Sequence, residues 1–341
     1  MRHRVVLPRI GMTMGDPLGI GPEIVVKAMA TWKGRPLAVF GDPSRLAAMA
    51  RKLSLAVSWK VVETPSEADH ADPASPLVVA GPAVAGDWGT VSAAAGYASY
   101  QYLVDAVEWH RQGRILGVVT GPIHKEAIHA AGIAEAGHTE ILARLTGASR
   151  VAMMLVGGGL RVVHVSTHVS LAEAIERVSP DRIRTAVELA HAVLPRFGVP
   201  EGTIAVAGLN PHNGEHRLFG DIEERVIRPT VDQLAAEGMP VVGPIAADTV
   251  FARARQTEFS VVVALYHDQG HIPVKLLAFD RAVNVTLGLP LVRTSVDHGT
   301  AMDIAGQGMA SPDSLLSAID WAERLTENRQ GLEATNDRAE G

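Results

Sequence analysis

Cysteine is absent from the sequence, so no disulfide, thiolate nucleophile or sulfur-ligated metal can be built from it, and any metal must sit on histidine, aspartate or glutamate. Aromatic residues make up only 4%, and charge of neither sign accumulates, the formal net charge being -6 and thinly spread. Nucleic acid is excluded as a partner by that distribution, which still leaves room for a local anion pocket. No stretch stays apolar for the roughly 18 residues that a membrane helix needs. The segment 1–13 has no uninterrupted apolar core before Pro8 and no small-residue cleavage site. The expectation is a protein neither secreted nor in a membrane, working in a reducing cytoplasm.

What is present is a chain of 341 residues, 47% hydrophobic, sufficient for one large core or two lobes. Short apolar, β-branched runs at 37–40, 77–80, 115–120, 160–165, 204–209 and 260–266 recur between helical patterns such as 93–111 and 180–194. That alternation predicts an α/β fold with a largely parallel sheet. No low-complexity linker interrupts it, so any two lobes are expected to be joined by crossing strands. The tail 326–341 is polar and is expected to fray or pack loosely.

Three histidines recur in matching positions: His168, His212 and His267 each follow one of these runs. Ligands of open α/β sheets bind outside the carboxyl ends of strands, so the three can converge although far apart in sequence. Three imidazoles with an open position suit catalytic zinc, and with carboxylates nearby manganese, cobalt or magnesium. Among 14 histidines in the chain, some also reach strand ends as ordinary caps; the joint pattern, with Asp268 directly after His267, favours a metal. His164 falls inside a strand run and is read as core or as a partner of a ligand.

Two segments suit anions. In Gly137-His138-Thr139-Glu140 a glycine turn opens a helix, with Thr139 as the expected N-cap, free amides beyond it and His138 as a further donor. Lys275, Asn284 and Arg293 stand in an otherwise apolar region and can serve one anion. The glycine-rich turn Gly15-Asp16-Pro17-Leu18-Gly19-Ile20-Gly21-Pro22-Glu23 opens a helix but matches neither a Walker A nor a Rossmann pattern. The nucleotide candidate is instead the loop from His298 and Gly299 through Asp303 to Gly306, which resembles that of the isocitrate and isopropylmalate dehydrogenases.

In order along the chain, Met14-Gly15-Asp16-Pro17, Gly19-Ile20-Gly21-Pro22-Glu23, Gly137-His138-Thr139-Glu140, Gly208-Leu209-Asn210-Pro211-His212, Tyr266-His267-Asp268-Gln269-Gly270 and Arg293-Thr294-Ser295-Val296-Asp297-His298-Gly299-Thr300 resemble the PdxA family of 4-hydroxythreonine-4-phosphate dehydrogenases. The likeness runs over residues 9–325. It implies a two-lobed α/β/α subunit of the non-Rossmann, isocitrate/isopropylmalate dehydrogenase-like kind, in a homodimer with a shared active site. The lobes are expected at 1–140 with 287–330, carrying the nucleotide loop, and at 141–286, carrying metal and dimer contacts.

Position by position, His168, His212 and His267 match the family's divalent-metal ligands, contributed across the dimer, while His138, Thr139, Lys275, Asn284 and Arg293 match its substrate contacts. The implied reaction is metal-dependent, NAD(P)-linked oxidation of a secondary alcohol on a small phosphorylated hydroxy acid, with decarboxylation. Asp248, Asp268 and Lys275 are candidates for the base, the two aspartates equally for orienting imidazoles. The chain departs from the usual pattern of that family at Gly270-His271-Ile272-Pro273-Val274-Lys275, where the B6 enzymes place proline one position earlier and have no histidine. In this it is more similar to the branch acting on 4-phospho-D-threonate or 4-phospho-D-erythronate; a further relative oxidises a terephthalate cis-dihydrodiol. Two other readings are a metal-dependent hydrolase, which leaves the 298–306 loop without a role, and a non-catalytic metabolite-binding protein, for which the metal pattern has no purpose.

Overall fold

The computed structural model describes residues 9–339, the side chains of residues 329–339 lying outside that description. Twelve strands follow in chain order: β1 (Arg9–Thr13), β2 (Leu37–Gly41), β3 (Lys60–Val62), β4 (Leu77–Ala80), β5 (Ile115–Thr120), β6 (Ala152–Gly157), β7 (Leu160–His164), β8 (Ile204–Ala207), β9 (Val241–Ile245), β10 (Val261–Ala264), β11 (Val283–Leu287) and β12 (Val292–Val296). The chain divides into two compact units, Met1–Ser149 with Leu289–Thr326, and Arg150–Gly288 with Glu327–Gly341.

In the first unit the strand order is β3-β4-β2-β1-β5-β12, and each neighbouring pair is parallel. Covered on both faces, such strands read as continuous apolar runs, and β2 and β5 do. The helix Ala93–Arg111 packs across β1, β2 and β5. Ser92 starts it by accepting from the Ala95 amide at 3.2 Å, and His110 and Arg111 close it where the helix dipole favours positive charge. Its Tyr102 is fully buried and donates its hydroxyl hydrogen to the Pro82 carbonyl at 2.8 Å, so its burial leaves no unsatisfied hydroxyl.

In the second unit the order is β11-β6-β7-β10-β8-β9. Here the expected parallel sheet has an exception: β6 runs antiparallel to both β7 and β11. Gly158 and Gly159, with φ of +58° and +82°, make the two-residue turn between β6 and β7, a conformation other residues adopt only at a cost. The remaining strands β7, β10, β8 and β9 are parallel, so their carboxyl ends emerge together. Leu155, Val162, Ala205, Val262, Val274 and Phe259 form the core beneath them, each large aliphatic side chain contributing about 1.5–3 kcal/mol by leaving water.

The α/β expectation thus holds. As far as it is described, the polar tail continues the helix Asp313–Ala339, where Thr326 is buried with its hydroxyl bonded to the Ala322 carbonyl. No helix among the described residues is long and apolar enough to cross a membrane.

Candidate active site

In the first unit, strand register brings together the residues of a candidate anion-binding end. Ser295 on β12 lies opposite Thr120 on β5, and Arg293, two residues earlier, shares that face. Arg293 donates to the Thr120 hydroxyl at 2.7 Å, and Thr120 donates to the Ser295 hydroxyl at 2.9 Å. The guanidinium is 3% exposed; burial lowers its pKa, opposed by Glu140. His138 begins the helix His138–Thr146, its Nε2 buried and without a hydrogen-bond partner among the described residues. Burial first, and the charge of Arg293 second, hold its pKa well below the ordinary value, so the ring is neutral. Thr139 is not the N-cap that the sequence predicts: Gly137 takes that position, fully extended, and no side chain caps the helix. The first-turn amides therefore remain available to an anion.

The same unit carries the loop of His298, Gly299 and Asp303. His298 and Asp303 are exposed, and a Cβ built on Gly299 would meet nothing within 4 Å, so backbone there is open to a nucleotide. Thr300 by contrast is buried, its carbonyl accepting from the Ile20 amide at 3.0 Å. A cofactor fits that arrangement, exposed polar groups beside an approachable backbone.

In the second unit the three histidines follow three neighbouring strands. His168 lies beyond β7, His267 beyond β10 and His212 beyond β8, and β10 pairs with both of the others. His267 is the first residue of the helix His267–Ala278, and its Nδ1 is 2.6 Å from the Asp268 carboxylate. That bond places the ring proton on Nδ1 and leaves the Nε2 lone pair for a ligand. Asp268 therefore orients an imidazole. Gln269 ties the ends of two strands together, accepting from the Leu265 amide at 2.7 Å and donating to the Gly208 carbonyl at 2.8 Å. His271 stacks on His267 with centroids 3.6 Å apart, and its Nδ1 is 3.1 Å from His164 Nε2. Burial, then the neighbouring histidines, pull the His164 pKa down to about 3. Gly270 permits this packing, since a Cβ there would come within 2.3 Å of His164 Nε2.

His212 sits in a strained turn: His212, Asn213, Glu215, His216 and Arg217 all have positive φ, which costs about 1–2 kcal/mol for each non-glycine residue. Glu223, nearly fully buried, holds the turn in place. Its carboxylate accepts from the Leu209 and Asn210 amides at 2.9 and 2.6 Å and from Asn210 Nδ2 at 3.0 Å. Asp248 is exposed in the first turn of the helix Ala247–Arg255, which packs on this segment. Lys275 lies on the helix of His267, its ammonium 5.7 Å above the Phe279 ring, and Asn284 lies on β11 with a buried, unpartnered Oδ1. Lys275, Asn284 and Arg293 thus occupy three different elements.

Do these donors fit a divalent ion? His168 and His267 have ring centroids 5.9 Å apart. Two imidazoles sharing an ion with metal–nitrogen bonds of ~2.1 Å have centroids about 5–6 Å apart, so this pair fits. Among the described residues of one chain, however, no three His, Asp or Glu side chains gather closely enough to hold a metal. The donor chemistry suits the ion, and the set within one chain is incomplete.

The chain is 45% identical over 340 residues to D-threonate 4-phosphate dehydrogenase of Cupriavidus necator, covering 98% of this chain and 99% of that one. It is 48% identical over 322 residues to 4-hydroxythreonine-4-phosphate dehydrogenase of Beijerinckia indica, covering 93% and 94%. The crystal structure of 4-hydroxythreonine-4-phosphate dehydrogenase from Klebsiella pneumoniae superposes with a TM-score of 0.84 at 41% identity, over 94% of this chain and all of that one. The chain is an oxidoreductase acting on a CH–OH group. Residues 33–322 match the family model of pyridoxal phosphate biosynthetic protein PdxA, and the chain belongs to that family.

Proposed function

We propose that the chain oxidises the secondary alcohol of a small phosphorylated hydroxy acid with NAD(P) and a divalent metal, the β-keto acid then losing carbon dioxide, and that 4-phospho-D-threonate is preferred to 4-hydroxy-L-threonine 4-phosphate. The observation that carries the reading is His267, its proton fixed on Nδ1 by Asp268 and its ring beside His168. The substrate preference follows the segment around His271, whose imidazole stacks on His267. His168, His212 and His267 would hold the ion, whether zinc, magnesium, cobalt or manganese. A bound ion would supply Lewis acidity toward the substrate hydroxyl and the ketone formed from it, and a nicotinamide would supply the hydride acceptor.

The chain's own residues bind and orient. Arg293, neutral His138 and the amides around Thr139 take the phosphate or carboxylate, with Lys275 and Asn284 as further donors. His298, Gly299 and Asp303 receive the cofactor. Asp248, Asp268 and Lys275 are the candidates to take the hydroxyl proton, Asp268 also orienting the His267 imidazole.

A homodimer belongs to the same proposal. Ile272, Leu276 and Phe279 are 55%, 81% and 73% exposed and follow one another at helical spacing (i, i+4, i+7) along the helix that His267 opens and its C-cap. An apolar stripe of this kind wants cover, and a second copy seated on it would bring donors toward the incomplete histidine set. A small anionic metabolite, and neither membrane nor nucleic acid, is the expected partner, in the cytoplasm.

The test is turnover of metal-reconstituted protein with NAD, and separately NADP, on 4-phospho-D-threonate, 4-phospho-D-erythronate and 4-hydroxy-L-threonine 4-phosphate. Highest kcat/KM on the first, lost in His212→Ala, supports the reading. A preference for the aminated substrate overturns the substrate assignment, and no turnover on any of them overturns the function.

A further inference from the structure

The glycine-rich turn and the helix it opens carry polar groups that the proposed chemistry does not use. Glu23, in the first turn of the helix Gly21–Thr31, has a side chain with no exposed surface. Its carboxylate accepts from the Gly308 amide at 3.0 Å, the Ala310 amide at 2.7 Å and the Lys27 ammonium at 2.8 Å. Lys27 donates in turn to the carbonyls of the same two residues, Gly308 at 2.9 Å and Ala310 at 2.6 Å. One ion pair therefore satisfies both donors and both acceptors where the 298–306 loop leaves toward the helix Asp313–Ala339. The entry to that loop is held by the same turn: the Ile20 amide donates to the Thr300 carbonyl, and a Cβ on Gly19 would press within 3.0 Å of Thr300. Asp303 lies between the two grips, and His298 and Gly299 stand directly before the first of them; all three are exposed.

We propose that Glu23 and Lys27 are positioning residues for the cofactor: they clamp the exit of the 298–306 loop so that its open backbone is preset for a dinucleotide before one arrives. This rests on the assignment of that loop to NAD(P). Only a carboxylate satisfies two amides and an ammonium together. In Glu23→Gln the amide group turns an N–H toward a donor and leaves Lys27 without its counter-charge. A loop released in this way must be ordered at the moment of binding, and the cost falls on cofactor affinity.

The test compares Glu23→Gln, Lys27→Met and Gly299→Val with the unaltered protein, reading the NAD dissociation constant by calorimetry and hydrogen exchange of the loop amides. Lys27 is partly exposed, so its variant keeps the fold if the buried Glu23→Gln does not. Expected are a rise in the NAD dissociation constant of roughly 10-fold in either clamp variant, as loss of charge-assisted bonds predicts, and faster exchange at Gly308 and Ala310 with β1 and β5 unchanged. At saturating NAD, kcat should stay within about 2-fold, which a general loss of structure would not allow. Unaltered NAD affinity with faster loop exchange in the clamp variants overturns the inference. Gly299→Val separates the two levels: it fills open space without a clash, so if it leaves NAD binding intact the loop assignment itself fails, and the clamp with it.

Discussion

A buried glutamate steadies a loop in each unit, and the two loops differ in what they are steadied against. Glu23 shares its work with Lys27 and holds the exit of the 298–306 loop. Glu223 holds a turn whose residues His212 and Asn213 sit at positive φ, through the Leu209 and Asn210 amides and the Asn210 side chain. The polar groups differ likewise. Arg293, Thr120 and Ser295 bond one another inside the first unit, whereas His168 and His212 are exposed and His267 only half-buried in the second. The candidate anion-binding groups are thus tied to one another within one chain, while the candidate metal ligands combine strain at His212 with exposure, which an ion and a second chain would compensate.

Three variants or conditions would break this contrast if it is wrong. The largest effect is expected for Arg293→Met, with kcat/KM down roughly 10²-fold through loss of a buried charge-assisted bond and metal affinity by calorimetry unchanged; a parallel fall in metal affinity would mean that the two ends are not separate. Asp268→Asn should weaken metal binding about 10- to 100-fold by freeing the His267 ring, while NAD affinity stays the same.

The smallest effect concerns acid. His164 and His138 have folded pKa values below the unfolded value, so the unfolded chain binds more protons as pH falls through about 6.5, and stability drops with it. For His164, fully packed and with a folded pKa of about 3, the loss is at most about 1.4 kcal/mol per pH unit below 6.5. Urea melts at pH 7 and 5.5 should show it, and His164→Leu should flatten the slope; an unchanged slope would remove His164 from the acid-sensitive set.

Much of this was legible in the sequence where one signal acted alone. The runs 77–80 and 115–120 and the helical pattern 93–111 coincide with elements of the structure, because burial on both strand faces and a serine cap leave little competition. β1, β6 and β11 gave no such signal. Arg-Ile-Gly-Met-Thr in β1 has weak strand propensity and is a strand because its neighbours bury it, and β6 is rich in methionine, which declares no secondary structure.

The site divides in the same way. The positions of His168, His212 and His267 beyond the ends of β7, β8 and β10 could be read, since strand direction alone decides where those residues go. Thr120 and Ser295 could not, although a hydroxyl inside a buried apolar strand is a usable clue; their meeting depends on the register of β5 with β12. Glu23, Glu223 and Gln269 act through backbone groups far from them or in neighbouring loops, and no local pattern announces such partners.

The most direct test is complementation between inactive variants. His168→Ala and His212→Ala dimers would each be prepared, mixed under conditions that exchange subunits, and assayed with metal, NAD and 4-phospho-D-threonate. If His168 and His212 of one ion site come from different chains, half of the mixture becomes hybrids with one intact site of two, and roughly a quarter of the unaltered activity returns. A mixture as inactive as its parents, with exchange verified, would mean that one chain supplies both ligands and would contradict the shared site.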